Sequence, residues 1–167
     1  MKDGLEGFES DLDSQKTIER AADILIDRFD LEIDVGIEIN TRFKNKAGQY
    51  SHSDRKISIS VYLIENHPEK VLRTLKHELA HAYVLQRLDQ KDSKPHGSEW
   101  ESVMQDMRVK NPKACHKMKL TDFSYLIRCT NTDCDVEIGR HRKSKIVKQT
   151  GLYRCKKCGS KLESFEN

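Results

Sequence analysis

The chain has 167 residues, 36% of them hydrophobic and 34% charged, and a net charge of +3. That length holds one core-bearing domain with room for one small satellite. No stretch approaches the about 18 consecutive apolar residues of a membrane span, and the opening Met1-Lys2-Asp3-Gly4-Leu5-Glu6 has no basic region leading into an apolar core. No membrane association and no secretory leader are therefore expected, and the expected compartment is intracellular and reducing.

The charge is distributed unevenly. Residues 1–39 carry four basic and twelve acidic side chains, a balance of −8, whereas residues 126–167 carry ten basic and five acidic, a balance of +5. An acidic N-terminal face and a basic C-terminal module able to meet phosphate follow from this, the plain alternative being an ordinary solvated surface.

In chain order, residues 10–28 space Leu12, Ile18, Ala21, Ala22, Leu25 and Ile26 as an amphipathic helix. Residues 31–40 alternate apolar and polar, predicting a half-buried strand. A turn near residues 45–48 and a second alternating run, residues 56–61, follow. Asn66-His67-Pro68-Glu69 reads as a helix start, with proline at an early position and an acid in the first turn. The helix it opens should run over residues 68–87, where Val71, Leu72, Leu75, Leu79, Ala82 and Tyr83 recur at three- and four-residue steps. Residues 89–97 are polar, contain Pro95 and read as a loop; a further helix is expected over 97–108, before Asn111-Pro112. From Tyr125 the pattern becomes short β-like runs, 125–128 and 151–154, each leading into a cysteine. The division is placed between residues 1–120 and 121–167.

Inside the second predicted helix stands His77-Glu78-Leu79-Ala80-His81, an H-E-x-x-H pattern. Residues four apart on a helix lie one turn above each other, so His77 and His81 can present imidazole nitrogens to one zinc ion. Glu78, beside the first ligand, is placed to take a proton from water rather than to bind metal. A catalytic zinc takes three protein ligands and keeps one open position, and the best third candidate is His96, flanked by Pro95 and Gly97 at the start of the next helix. Glu99 and Glu101 are alternatives; His52, His67, His116 and His141 have no comparable setting.

Cys129-x4-Cys134 and Cys155-x2-Cys158 form two thiolate pairs separated by twenty residues. Paired cysteines of this kind in an intracellular chain point to a closed, structural zinc site in a ribbon too small to bury a core of its own. Cys115 remains over as an ordinary thiol. Between and beside the pairs lie Arg140, Arg142, Lys143, Lys145, Lys148, Arg154, Lys156 and Lys157, a cluster suited to sequence-independent phosphate binding. DNA is the preferred partner, with RNA or a protein as alternatives; Tyr153 and Phe165 could stack on bases or serve as strand residues.

The ordered combination of Asn40-Thr41-Arg42, Gly48, the strand Ile57-Ser58-Ile59-Ser60, Thr74-Leu75-Lys76-His77-Glu78-Leu79-Ala80-His81-Ala82-Tyr83, then His96-Gly97-Ser98-Glu99-Trp100 and a ribbon resembles the SprT-like, Spartan-related metalloprotease family. Fourteen residues separate His81 from His96, unlike the short metzincin arrangement. The resemblance implies an α+β fold, a zincin-like minimal metalloprotease domain followed by a small β zinc ribbon. It further implies a DNA-stimulated zinc endoprotease acting on DNA-bound or DNA-crosslinked proteins, with one catalytic and one structural Zn2+, working in the cytoplasm or on the chromosome. A monomer is expected, and no long regulatory tail after the ribbon. The competing readings are a general intracellular zinc peptidase or amidase without DNA dependence, and a nucleic-acid-binding module whose H-E-x-x-H site is not catalytic.

Overall fold

In the computed structural model the described residues are 12–87, 94–112 and 118–167. They form mixed helices and two small sheets, an α+β fold. The chain divides between Leu120 and Thr121 into two compact units, each with a hydrophobic core of its own. No helix among the described residues is long and apolar enough to cross a membrane.

The first unit begins with α1, Gln15–Arg28. Ser14 caps it reciprocally: the Thr17 amide donates to Ser14 Oγ at 3.3 Å, and the Ser14 amide donates to Thr17 Oγ1 at 3.1 Å. This cap removes two otherwise orphaned donors and sets the helix start later than residue 10. Ile18, Ala21, Ala22 and Leu25 form its buried stripe. The strand expected over 31–40 pairs only from residue 36, as β1, Gly36–Asn40. Its first half is spent otherwise. The Leu31 amide bonds back to Ile26 O at 3.0 Å, Asp30 and Glu32 take positive φ, and both backbone groups of Asp34 bond the Gln86 side chain. Leu31 and Ile33 are nevertheless buried, so their apolar alternation reported burial and not ladder pairing.

β2, Gly48–Ser51, and β3, Lys56–Ser60, complete a sheet of order β1-β3-β2. β1 runs parallel and β2 antiparallel to the central β3, whose Ile57 and Ile59 are fully buried. β2 starts where the expected turn, residues 45–48, ends, beside the two strands read from alternation. A short helix missed by the sequence pattern, α2, Val61–Asn66, follows β3 directly. Asn66 Nδ2 donates to Leu120 O at 2.8 Å and His67 Nε2 to Lys119 O at 3.0 Å, fixing the far end of this unit. Pro68–Lys70 then make a 3-10 turn that leads into α3, Val71–Arg87. α4 spans Ser98–Asp106, close to the expectation for that helix.

The second unit is a three-stranded antiparallel sheet of order β5-β4-β6, with β4 at Tyr125–Cys129, β5 at Glu137–Arg140 and β6 at Leu162–Glu166. The expected strand at 151–154 does not form: Thr150–Leu152 make a 3-10 turn and only Arg154 bridges to Lys161. Leu152 is 74% exposed and only Tyr153 of that run packs against the ribbon core, too little to hold it extended. The buried centre of this unit is just Ile127, Val147, Cys155 and Leu162, to which the four-residue helix α5, Lys145–Lys148, contributes the valine. Gly139 is required by space: the Phe123 ring lies 2.0 Å from where a Cβ would stand.

Because β3 couples β1 to β2 through fully buried isoleucines, Ile59→Ala should lower the unfolding free energy by about 2–5 kcal/mol through lost burial and a residual cavity. Denaturant melts followed on the first unit check this; Leu152→Ala on the exposed turn should leave the midpoint unchanged.

Candidate functional site

α3 turns different faces to the core and to the site. Leu75, Leu79 and Ala82 are buried in the core, while His77 and His81, one turn apart, leave it half-buried. His96 joins them from the segment entering α4. The three Nε2 atoms make a nearly equilateral triangle: 3.2 Å from His77 to His81, 3.1 Å from His81 to His96 and 3.2 Å from His96 to His77. Ligand nitrogens about 2.0–2.1 Å from one tetrahedral zinc lie about 3.3–3.4 Å apart, so donor set and spacing fit Zn2+. Burial holds the His81 imidazole down at about pKa 4, with His96 adding to the effect, and burial also lowers His96. Neutral rings with free lone pairs are what a divalent cation binds.

The return of His96 is enforced by packing. Trp100, buried on the first turn of α4, sets its ring 4.8 Å from His77, 5.8 Å from His81 and 4.8 Å from His96, centroid to centroid. Its indole Nε1–H donates to His77 O at 3.3 Å. At the other end of α4, Lys76 Nζ donates to Met107 O at 3.0 Å, occupying a carbonyl the helix terminus leaves open. Trp100 stood in the quoted motif with no role attached; a large aromatic four residues after the third ligand was the available signal. Glu99 and Glu101 are not members of the histidine cluster.

Glu78, the residue after His77 on α3, is 6% exposed. The Tyr50 amide of β2 donates to Glu78 Oε2 at 2.9 Å. Burial pushes this carboxyl up to about 7, against the Tyr50 hydrogen bond and the charge of Lys46, which pull it down. A carboxyl poised there suits a general base working near neutral pH. The Tyr50 ring is itself anchored, accepting from Gln86 Nε2 at 2.8 Å through its hydroxyl, so β2 is tied to α3 at both Glu78 and Gln86.

The four ribbon cysteines also converge. Cys129 Sγ lies 3.3 Å from Cys158 Sγ, Cys134 Sγ lies 3.7 Å from Cys155 Sγ, and all four sulfurs sit within 4.8 Å of one another. These separations exceed a disulfide bond and bracket the edge of a tetrahedral thiolate site, about 3.7–3.8 Å at a zinc–sulfur distance of about 2.3 Å. The second knuckle closes through Gly159, whose φ of +77° only glycine adopts without strain, with its amide donating to Cys155 O at 2.8 Å. Hydrogen bonds from Ser160 hold the Cys158 thiol down at about 6.

The SprT-like family model matches residues 14–120. This chain belongs to the SprT-like family. It is 32% identical to Protein SprT of Pasteurella multocida over 121 residues, 70% of this chain and 71% of that one. To Protein SprT of Yersinia pseudotuberculosis it is 26% identical over 132 residues, 76% and 74% of the two chains. It is also similar to the crystal structure of the metallopeptidase zymogen jannalysin of Methanocaldococcus jannaschii, with 23% identity, a TM-score of 0.44, and coverage of 56% of this chain and 84% of that one.

In this SprT-like chain His77, His81 and His96 form a set able to hold a metal ion, with Glu78 adjacent in sequence, and the ribbon lies beyond the stretch that the family model matches. The eight basic residues singled out on the ribbon are all exposed. Lys157 is engaged, pairing with Asp135 at 2.5 Å, and Arg154 donates to Gly151 O and Tyr153 O. Tyr153 packs against the ribbon core, which answers its alternative reading, whereas Phe165 is exposed beneath the Arg128 guanidinium. His52, beside Tyr50, His67, on Lys119 O, and His141, against the Phe123 ring, join neither cluster. Cys115 and His116 fall outside the described residues.

Two separate ligand sets predict two zinc ions per chain by elemental mass spectrometry. His96→Ala should reduce this to one, with the ribbon ion retained, and Cys158→Ser should reduce it to one with the histidine ion retained; an unchanged count in either variant contradicts the assignment.

Proposed function

We propose that this SprT-like chain is a zinc-dependent endoprotease, stimulated by DNA, that cuts proteins bound or crosslinked to DNA. The observation that carries the proteolytic part is the His77-His81-His96 nitrogen triangle with a buried, tethered carboxylate at the residue following the first histidine. Zn2+ held by His77, His81 and His96 supplies Lewis-acid activation of a water molecule and polarisation of the scissile carbonyl when bound. The chain's own contribution is the proton. With Oε2 accepting from Tyr50, Glu78 uses Oε1 to take the proton shed by water as its oxygen bonds to the carbonyl carbon. It returns that proton to the leaving amine as the C–N bond breaks. The buried Trp100 holds the three imidazoles in their relative orientation, which lowers the reorganisation needed to reach a reactive geometry.

The DNA-directed part is supported by the exposed cations of the ribbon, Arg140, Arg142, Lys143, Lys145, Lys148 and Lys156 above all, and by the balance of +5 over residues 126–167. Contacts of this type act through counterion release and carry no base preference. By holding DNA, the ribbon would raise the local concentration of DNA-bound substrates around the protease.

The test is cleavage of a basic DNA-binding protein with and without DNA, at low and moderate salt. Stimulation by DNA is expected, falling as salt rises, and replacing Arg140, Arg142, Lys143, Lys145 and Lys148 by alanine should abolish it. Cleavage at equal rates with and without DNA would instead favour a general peptidase, and equal stimulation in the wild type and the five-residue variant would remove the ribbon from DNA sensing.

A further inference from the structure

Gly48 opens β2 directly above α3. A Cβ on it would stand 2.8 Å from Thr74 Cγ2, 3.2 Å from Glu78 Cγ and 3.3 Å from Glu78 Oε1, the first a separation that real Cβ atoms essentially never show. Thr74 and Glu78 are one turn apart, so they form a single ridge on α3 facing the strand. Both are buried, at 4% and 6% exposure, and neither has open space to move into. Two residues further along the same strand edge, the Tyr50 amide makes its 2.9 Å hydrogen bond to Glu78 Oε2. The Gly48 backbone lies outside the left-handed region, so glycine is required here by space and not by φ.

We propose that Gly48 is a positioning residue for the proteolytic reaction: its missing side chain lets β2 close onto α3, so that Glu78 is clamped with one oxygen on the Tyr50 amide and the other free for the proton. The inference rests on Glu78 being the base. A methyl at position 48 must push either the carboxylate or the strand by several tenths of an ångström. Either movement lengthens the Tyr50 hydrogen bond and lets the carboxylate swing. The three atoms nearest to a Cβ at position 48 belong to Thr74 and Glu78 and not to His77, His81 or His96, so zinc content should be unchanged. Thr74 contributes only its methyl to the contact, and trimming that methyl makes room for a new one at 48.

The experiment is steady-state hydrolysis of an unstructured peptide by the full chain, with zinc content and thermal midpoint measured on the same samples. Gly48→Ala should lower kcat roughly 10- to 100-fold, the range expected for a misplaced catalytic group, with KM and zinc content unchanged. Thr74→Ser alone should behave as wild type, and Gly48→Ala combined with Thr74→Ser should recover most of the lost rate. In a Glu78→Gln background, Gly48→Ala should cause no further loss. Wild-type kcat in Gly48→Ala overturns the proposal. So does a loss of rate accompanied by loss of zinc or of the folded state, or a loss that Thr74→Ser does not relieve. Should Glu78→Gln itself retain turnover, the reading of Glu78 as base fails, a result distinct from failure of the Gly48 contact.

Discussion

Two imidazoles one helical turn apart can grip a cation but cannot enclose it, and much of the first unit serves to supply what α3 lacks. The third nitrogen arrives because α4 folds back along α3, held by Trp100 at the histidine end and by Lys76 on Met107 O at the other. The proposed base is fixed because the same helix presents Glu78 to a strand, β2, that lies close enough for a backbone amide to hold it. One helix therefore divides its faces three ways: an apolar stripe into the core, a ligand pair, and a ridge of Thr74 and Glu78 under β2.

Much of this was legible in the sequence. Helical spacing and the Pro68 entry place His77 and His81 on one face before any coordinates are known, and the cysteine spacing marks the ribbon in the same way. The convergence of His96 required an inference across a polar loop. What carried it was the chemistry of zinc, which demands a third donor. The places where the pattern misled share a cause. Residues 31–35 alternate because Leu31 and Ile33 are buried, yet their backbone bonds go to the end of α1 and to Gln86. Residues 151–154 look like a strand but leave Leu152 in solvent. Periodicity reports which side chains are buried; it does not report where the backbone groups find partners. β2 was missed for the opposite reason. A four-residue strand beginning with glycine carries little apolar signal.

The ribbon illustrates a different balance. With four buried residues at its centre, the second unit has too little apolar burial to offset the chain entropy of folding, and the four sulfurs at ligand separation supply the missing cohesion once a metal binds them. A fold held by its metal can spend its surface on charge, which is where the exposed arginines and lysines stand.

The account depends most on Glu78 being a base and not a ligand or a structural carboxylate. Peptide hydrolysis by wild type and Glu78→Gln, on samples carrying equal zinc, measures this directly. The substitution keeps the shape of the side chain and an acceptor for the Tyr50 amide while removing the capacity to take a proton. The prediction is a rate lower by at least about 100-fold with both zinc ions retained; turnover near the wild-type rate at full zinc occupancy would contradict it.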